Sequence, residues 1–334
     1  MSQTLNDQVS LADIVKSLYA PIAEELAEVE AILERELRSD YPFVDEVVRH
    51  GARLGGKRLR PALLLLTAKA IGNVSRDHLI LSAVVEMIHT ATLVHDDVLD
   101  EADKRRHLAT VNARWGNETS VLLGDFLFTH AFYLASTLGS TLACRTIGQS
   151  TNIVCEGELR QMGNQGCYEV GEQEYISIID AKTAELCACC CNLGATFADA
   201  SEDIVERLTS YGRNLGIAFQ IADDLLDILG DEQATGKSLG TDIDKQKPTL
   251  PLIHTWRQAS ESERQTLMAI LQGPANERHA QLLPWFERFQ SVAYARQRAQ
   301  HFAERAREEI SVLASSPAQL VLQQLTMFVV ARSH

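Results

Sequence analysis

The sequence predicts an all-α protein, a single domain over residues 1–334 with ten or more helices around one core. Three observations carry that prediction. Apolar residues recur at helical spacing almost throughout, and strand signals are nearly absent. With 46% hydrophobic residues in 334, the chain can bury a large core. No Pro- or Ser-rich linker, low-complexity stretch or fixed-period repeat divides it in two.

In chain order, the periodicity predicts a first helix near 11–38, bent or broken at Pro21. A second runs from Arg60 to about Ile71, with Pro61 suited to its first turn. A long one follows over 76–104, with Ser75 as its N-cap. Further helices are expected at 117–138, 140–163, 172–199, 202–232, 249–272, 278–289, 291–313 and 317–332. Loops fall at Gly51–Lys57, Lys104–Thr110 and Gly230–Pro248.

The net charge of −14 argues against a nucleic-acid or anionic-membrane binder, though a phosphate-bearing substrate stays open where cations reverse the local sign. Apolar runs such as PALLLL (61–66) are far shorter than a membrane span, so no integral membrane segment is expected. The N-terminus lacks a basic region followed by an apolar one, which predicts a cytoplasmic protein. Four of the seven cysteines crowd into ELCACCCNLGA (Cys187, Cys189, Cys190, Cys191). A metal or redox site is one reading; the neighbouring alanines favour compact apolar side chains at a close helix contact.

The chemistry concentrates in LVHDDVLDEADKRR. On a helix, Asp96 and Asp100 lie about 40° apart around the axis and about 6 Å along it, with Asp97 beside them. A solvated acidic helix end is the competing account of one such group. A second, FQIADDLLDILGD, repeats the spacing with Asp223, Asp224 and Asp227. Two such carboxylate sets facing one another make sense only with cations between them, and oxygen ligands completed by phosphate and water suit Mg²⁺. Arg105 and Arg106 follow the first set, and GGKRLRP supplies Lys57, Arg58 and Arg60 beside two glycines. Lys182, Lys237 and Lys247 lie in AKTAEL, TGKSLG and KPTLP. Each basic residue alone reads as surface charge; together with the aspartates they suit a polyphosphate substrate. Gln220, one turn before Asp223, and Thr183 offer oxygen dipoles to a carbocation, or are simply satisfied core polar groups. Gly212 and Gly216 read as helix contacts.

These motifs, in order with GDFLFTHAF, EGELRQM and GKSLGTDIDKQKPTLPL, closely resemble the trans-prenyl diphosphate synthases over nearly the whole chain, and among them the long-chain octaprenyl type. The resemblance implies an isoprenoid synthase fold, antiparallel helices around a central cavity, and a homodimer. It implies Asp96, Asp100 and Asp223 as the main Mg²⁺ ligands, supported by Asp97, Asp224 and Asp227. Arg105, Lys182, Lys237 and Lys247 would hold the allylic diphosphate, and Lys57, Arg60, His89 and Arg106 the isopentenyl diphosphate. Thr183 and Gln220 would steady the allylic cation, and a quinone side chain is the implied use of the product. The role of His89 rests mainly on the resemblance.

Two departures stand out: His107 where the family usually has Gly, and Lys245-Gln246 where it usually has Glu-Gly. Both fall in expected loops and bear on loop closure rather than the reaction. A terpene cyclase needs only one diphosphate site, whereas GGKRLRP and Arg105–Arg106 argue for two. A non-catalytic partner subunit would have lost its aspartates, and a shorter-chain synthase is the remaining alternative. Below Asp96, Ala91 and Thr92 are small, so the plug that stops short chains is missing. The floor then lies deeper, with Phe132 the candidate, though an ordinary core aromatic is an equal reading. This predicts a product of about eight isoprene units from a starter such as farnesyl diphosphate.

Overall fold

In a computed structural model of the protein, residues 16–230 and 239–331 are described. A short helical turn at Ala20–Ile22 precedes α1 (Ala23–Glu36), because Pro21 has no N–H to continue a helix through it. Then come α2 (Pro42–Arg53), α3 (Leu59–Ile71) and α4 (Arg76–Leu99). A two-stranded hairpin, β1 (Lys104–Arg105) and β2 (Leu108–Ala109), is followed by α5 (Val111–Trp115), α6 (Asn117–Ser136) and α7 (Thr141–Gly163). α8 (Glu172–Ile179) passes through a π-helical turn, Asp180–Ala184, into α9 (Glu185–Thr196). The rest is α10 (Glu202–Leu229), α11 (Thr241–Asp244), α12 (Leu250–Gln258), α13 (Glu261–Gln272), α14 (Ala275–Arg288), α15 (Ser291–Glu309) and α16 (Pro317–Ala331).

The predicted all-α class holds, with differences that have local causes. α2 falls where no helix was expected: Pro42 starts its first turn, and a narrow stripe of Val47, Val48 and Gly51 is its only buried face. The stretch expected as one helix over 249–272 breaks at Ser260, whose hydroxyl and N–H both engage Glu263 in a capping box. α4 stops five residues short of its expected end, because Glu101 turns left-handed at φ +50°. The predicted loop at Lys104–Thr110 is the hairpin, turned by Arg106 and His107 at φ +51° and +65°. Positive φ at both central residues gives the twist a two-residue hairpin needs, and accounts for glycine as the usual residue at His107.

α3 is buried on every side along Pro61–Ala68 and packs against α4, α9 and α16. α4 is long and apolar enough to cross a membrane, yet 72% of its apolar window is buried inside the protein, which marks it as a core helix. A smaller cluster of Tyr168, Ile228, Ile243, Trp256, Leu267 and Phe286 secures the end of α10 and the short α11.

Close helix approach sets the geometry around α9. A Cβ on Gly212 of α10 would lie 2.5 Å from the Cys187 carbonyl, and one on Gly216 2.5 Å from the Ala184 Cα. The four clustered cysteines are buried there, and burial pushes the Cys189 and Cys191 thiols up to about 12, so they pack as small apolar groups. Gly212→Ala should therefore destabilise the protein by about 1–3 kcal/mol. The urea midpoint should fall at constant m; an unchanged midpoint would mean that α9 and α10 have room to spare.

Candidate active site

The bundle encloses a cavity of about 850 Å³. α4 contributes His89, Thr92 and Asp96 to its wall and its C-cap Asp100 follows; α10 contributes Gln220, Asp223, Asp224 and Asp227. The π-helical turn presents Lys182 and Thr183, and the segment after α11 presents Lys245 and Lys247. Lys57, Arg58, Arg60, Arg105 and Arg106 complete the polar rim, while Val154, Ile178, Phe219 and Phe328 are among the apolar lining.

Lysines stand between the carboxylates. Lys182 pairs with Glu158 at 2.6 Å; Lys245 and Lys247 reach Asp100 at 3.1 and 3.2 Å, and Lys247 reaches Asp242 at 3.8 Å. Burial pushes Asp96 up to about 6, with Lys182 opposing and Glu158 and Asp100 adding to the rise. Burial likewise pushes Asp242 up to about 6, with Asp227 adding and Lys247 opposing. Against the opposing effect of burial, Lys247 and Lys245 hold Asp100 below the usual carboxylate range. The charge of Lys182 favours ionisation of both Asp96 and Asp242, so it acts on both acidic groups.

The remaining aspartates of the two motifs have other partners. Asp97 is buried and takes a forked contact from Arg105, Nε at 3.0 Å and Nη2 at 2.9 Å to Oδ1, which ties the hairpin to α4. Asp227 accepts from the Thr241 hydroxyl at 2.7 Å and the Thr241 and Asp242 N–H groups, capping α11. Among the described residues no three carboxylate, His or Cys side chains form a ready-made metal cluster, so cations would have to be completed by ligand oxygens.

Across the rim the sign reverses. The two glycines of GGKRLRP make room for guanidinium groups: a Cβ on Gly55 would meet Arg58 at 2.5 Å, and one on Gly56 would run into Arg106. Arg58 is held by Glu30 at 2.6 Å and by the buried Glu86 at 2.7 Å, and Arg106 donates to the Gly55 carbonyl at 2.9 Å. His89 lies among them; burial and then Arg60, Arg105, Arg106 and Arg58 push its imidazole well below the usual range, so it is neutral at pH 7. A concentration of cations with a neutral histidine at its centre is complementary to a polyanion.

Of the expected site residues, Lys237 lies outside the described residues. Ala91 is fully buried in the core and is not among the residues lining the cavity, nor is the half-buried Phe132, which packs near Gly148. Thr92 does line it, its hydroxyl turned back to the His89 carbonyl at 2.8 Å. Glu86, Glu158, Tyr175, Asp242 and Lys245 went unassigned in the sequence reading. Asp242, in GTDIDK, and Glu158, in EGELRQM, stand in motifs that mark them as candidates.

The family model for polyprenyl synthetases matches residues 41–284. The chain belongs to that family. It is 38% identical to the octaprenyl diphosphate synthase of Escherichia coli (strain K12) over 314 residues, 93% of this chain and 96% of that one. It is 36% identical over 289 residues to a short-chain isoprenyl diphosphate synthase of Methanothermobacter thermautotrophicus, covering 85% of this chain and 89% of the relative. The crystal structure of a polyprenyl synthase from Caulobacter crescentus CB15, complexed with calcium and isoprenyl diphosphate, superposes with a TM-score of 0.90 at 31% identity, covering 96% of this chain and 98% of that one. The chain is thus a prenyl diphosphate synthase, a prenyltransferase with the expected isoprenoid synthase fold.

In the synthase, His89 supplies a direct readout of the basic rim. If the rim holds a diphosphate, its charge would favour the imidazolium, so binding near pH 6 should take up more protons in the wild-type protein than in His89→Gln. Calorimetry with inorganic diphosphate in buffers of different ionisation enthalpy measures that difference, the ligand's own titration being common to both proteins. Equal uptake in the variant would move the titrating group elsewhere.

Proposed function

We propose that this prenyl diphosphate synthase is a long-chain, all-trans enzyme that adds isopentenyl units to an allylic diphosphate to reach about eight isoprene units. The observation that supports condensation, rather than ionisation alone, is two separate groups of basic side chains on one cavity: the arginine rim around His89 and the lysines Lys182 and Lys247 among the aspartates. Length rests on the similarity to an octaprenyl synthase and on small Thr92 at the cavity wall. The similarity to a short-chain synthase makes a shorter product the second reading.

The donor set fits Mg²⁺. Asp96, Asp100, Asp223 and Asp242 are hard oxygen donors on one cavity, and Asp96 and Asp242 are pushed up to about 6 by burial and then by neighbouring carboxylates, a charge excess that a cation would relieve. Bound Mg²⁺ would supply Lewis-acid neutralisation of the departing diphosphate. Lys182 and Lys247, with Lys237 and Arg105, would hold the allylic diphosphate; Lys57, Arg60, His89 and Arg106 would hold isopentenyl diphosphate. The allylic C–O bond breaks, C1 of the allylic unit bonds to C4 of isopentenyl diphosphate, and a C2 proton passes to the released diphosphate. The apolar lining keeps water from the cation, which the Gln220 and Thr183 oxygens face. Exposed Val121, Leu122, Tyr133, Leu142, Leu159 and Met162 on α6 and α7 support a homodimer.

Purified protein with Mg²⁺, farnesyl diphosphate and excess labelled isopentenyl diphosphate should give products near eight units by mass spectrometry. Thr92→Phe should shorten them sharply. Asp96→Ala or Asp223→Ala should lower kcat by about 10³-fold, as expected for losing a preorganised electrostatic group. Wild-type products that stop at three or four units would reject the long-chain reading; full activity in EDTA would reject the metal.

A further inference from the structure

The sequence reading gives Asp224 a supporting place beside a metal, but its surroundings argue for another job. Asp224 is 5% exposed, and both of its carboxylate oxygens carry a hydrogen bond from the protein. Tyr175, 4% exposed on α8, donates its hydroxyl to Oδ2 at 2.6 Å. Gln220, one turn earlier on α10, donates its amide NH₂ to Oδ1 at 2.8 Å. The other end of that amide, Oε1, accepts the Thr183 hydroxyl at 2.8 Å. All four side chains line the cavity.

A primary amide has a donating end and an accepting end, and its partners decide which way it faces. Thr183 decides nothing, since a hydroxyl can donate or accept. As arranged, Asp224 accepts at both oxygens, from the Tyr175 hydroxyl and from the NH₂ end of Gln220, which leaves the carbonyl oxygen to Thr183; burial pushes this carboxyl well above its usual range, and the two donated hydrogen bonds oppose that rise. Tyr175 takes the second carboxylate oxygen and so holds the plane of the group that Gln220 reads. The chain then continues into the π-helical turn, a local widening of the helix that brings Lys182 and Thr183 to the same cavity. That turn is flanked by glycines without room for a side chain: a Cβ on Gly157 of α7 would lie 2.7 Å from the Lys182 N, and one on Gly216 of α10 would lie 2.5 Å from the Ala184 Cα.

We propose that Tyr175 is a positioning residue for the condensation: through Asp224 it keeps the carbonyl oxygen of Gln220, and not its NH₂, directed to Thr183 and the developing allylic cation. A negative dipole end stabilises that cation; a reversed amide would oppose it. The inference rests on the reading of Gln220 and Thr183 as the cation-facing pair.

A double-mutant cycle on kcat tests it, with KM for each diphosphate, Mn²⁺ affinity and melting temperature read alongside. Gln220→Ala should lower kcat by about 10²-fold. Tyr175→Phe should lower kcat by about tenfold in the otherwise unchanged protein, the size of one lost hydrogen bond, and by nothing further in the Gln220→Ala background. Both KM values and Mn²⁺ affinity should stay within about twofold of the parent, because no diphosphate or cation contact is removed. An equal kcat loss in both backgrounds, no loss in either, or weakened Mn²⁺ binding would overturn the proposal. An unchanged kcat in Gln220→Ala alone would instead reject the cation-facing pair. Should Tyr175→Phe melt below the assay temperature, Asp224→Ala run through the same cycle carries the same expectation, and an added loss in the Gln220→Ala background would show Asp224 acting elsewhere.

Discussion

Mutual repulsion among carboxylates around a partly buried cavity is the constraint on which the rest of the site depends. Asp96, Asp100, Asp223, Asp242 and Glu158 share one wall system, and their charges cannot stand together without compensation. In the structure the compensation is lysine: Lys182 on Glu158, Lys245 and Lys247 on Asp100. Those pairs are also the groups that a diphosphate would recruit. On the proposed reading, filling the cavity would exchange lysine–carboxylate pairs for lysine–phosphate and carboxylate–cation pairs, with each charge partnered on both sides of the exchange. Asp97 also pins the hairpin through Arg105, and Asp227, itself on the cavity wall, caps α11, which carries Asp242.

Backbone geometry delivers these groups. Glycines at helix crossings bring α7, the π-helical turn, α9 and α10 close enough for Lys182 and Thr183 to share a cavity with Gln220. The two departures from the family pattern fall where the chain turns left-handed, His107 at φ +65° and Gln246 at φ +56°. Non-glycine residues there cost roughly 1–2 kcal/mol each, and neighbouring contacts offset part of it. The Gln246 carbonyl accepts from the Gly166 N–H at 2.9 Å, and the Lys245 carbonyl from Gln165 at 2.6 Å, so this loop docks on the end of α7.

Much of this was legible in the residues. Helical periodicity locates most of the helices, and the paired aspartates with their neighbouring cations locate the cavity. Spacing alone did not sort the aspartates within each motif. Asp96 and Asp97 are adjacent in sequence but turned 100° apart on the helix, which sends one to the cavity and the other to Arg105. The same rotation accounts for Thr92 lining the cavity while Ala91 enters the core. Tyr175, Glu86 and Asp242 depend on contacts 28 or more residues away or on a loop's return path, which no local pattern encodes. The Ser260–Glu263 capping box, by contrast, was readable and breaks a helix that periodicity alone ran together.

The central claim is that the carboxylates and lysines form a site completed by diphosphate rather than a preformed metal cluster. Titration of the protein with Mn²⁺, followed by electron paramagnetic resonance with and without inorganic diphosphate, tests it most directly. The account predicts weak binding to the protein alone and, with diphosphate present, markedly tighter binding that Asp96→Ala or Asp223→Ala removes. Tight Mn²⁺ binding without diphosphate, or no gain when it is added, would contradict it.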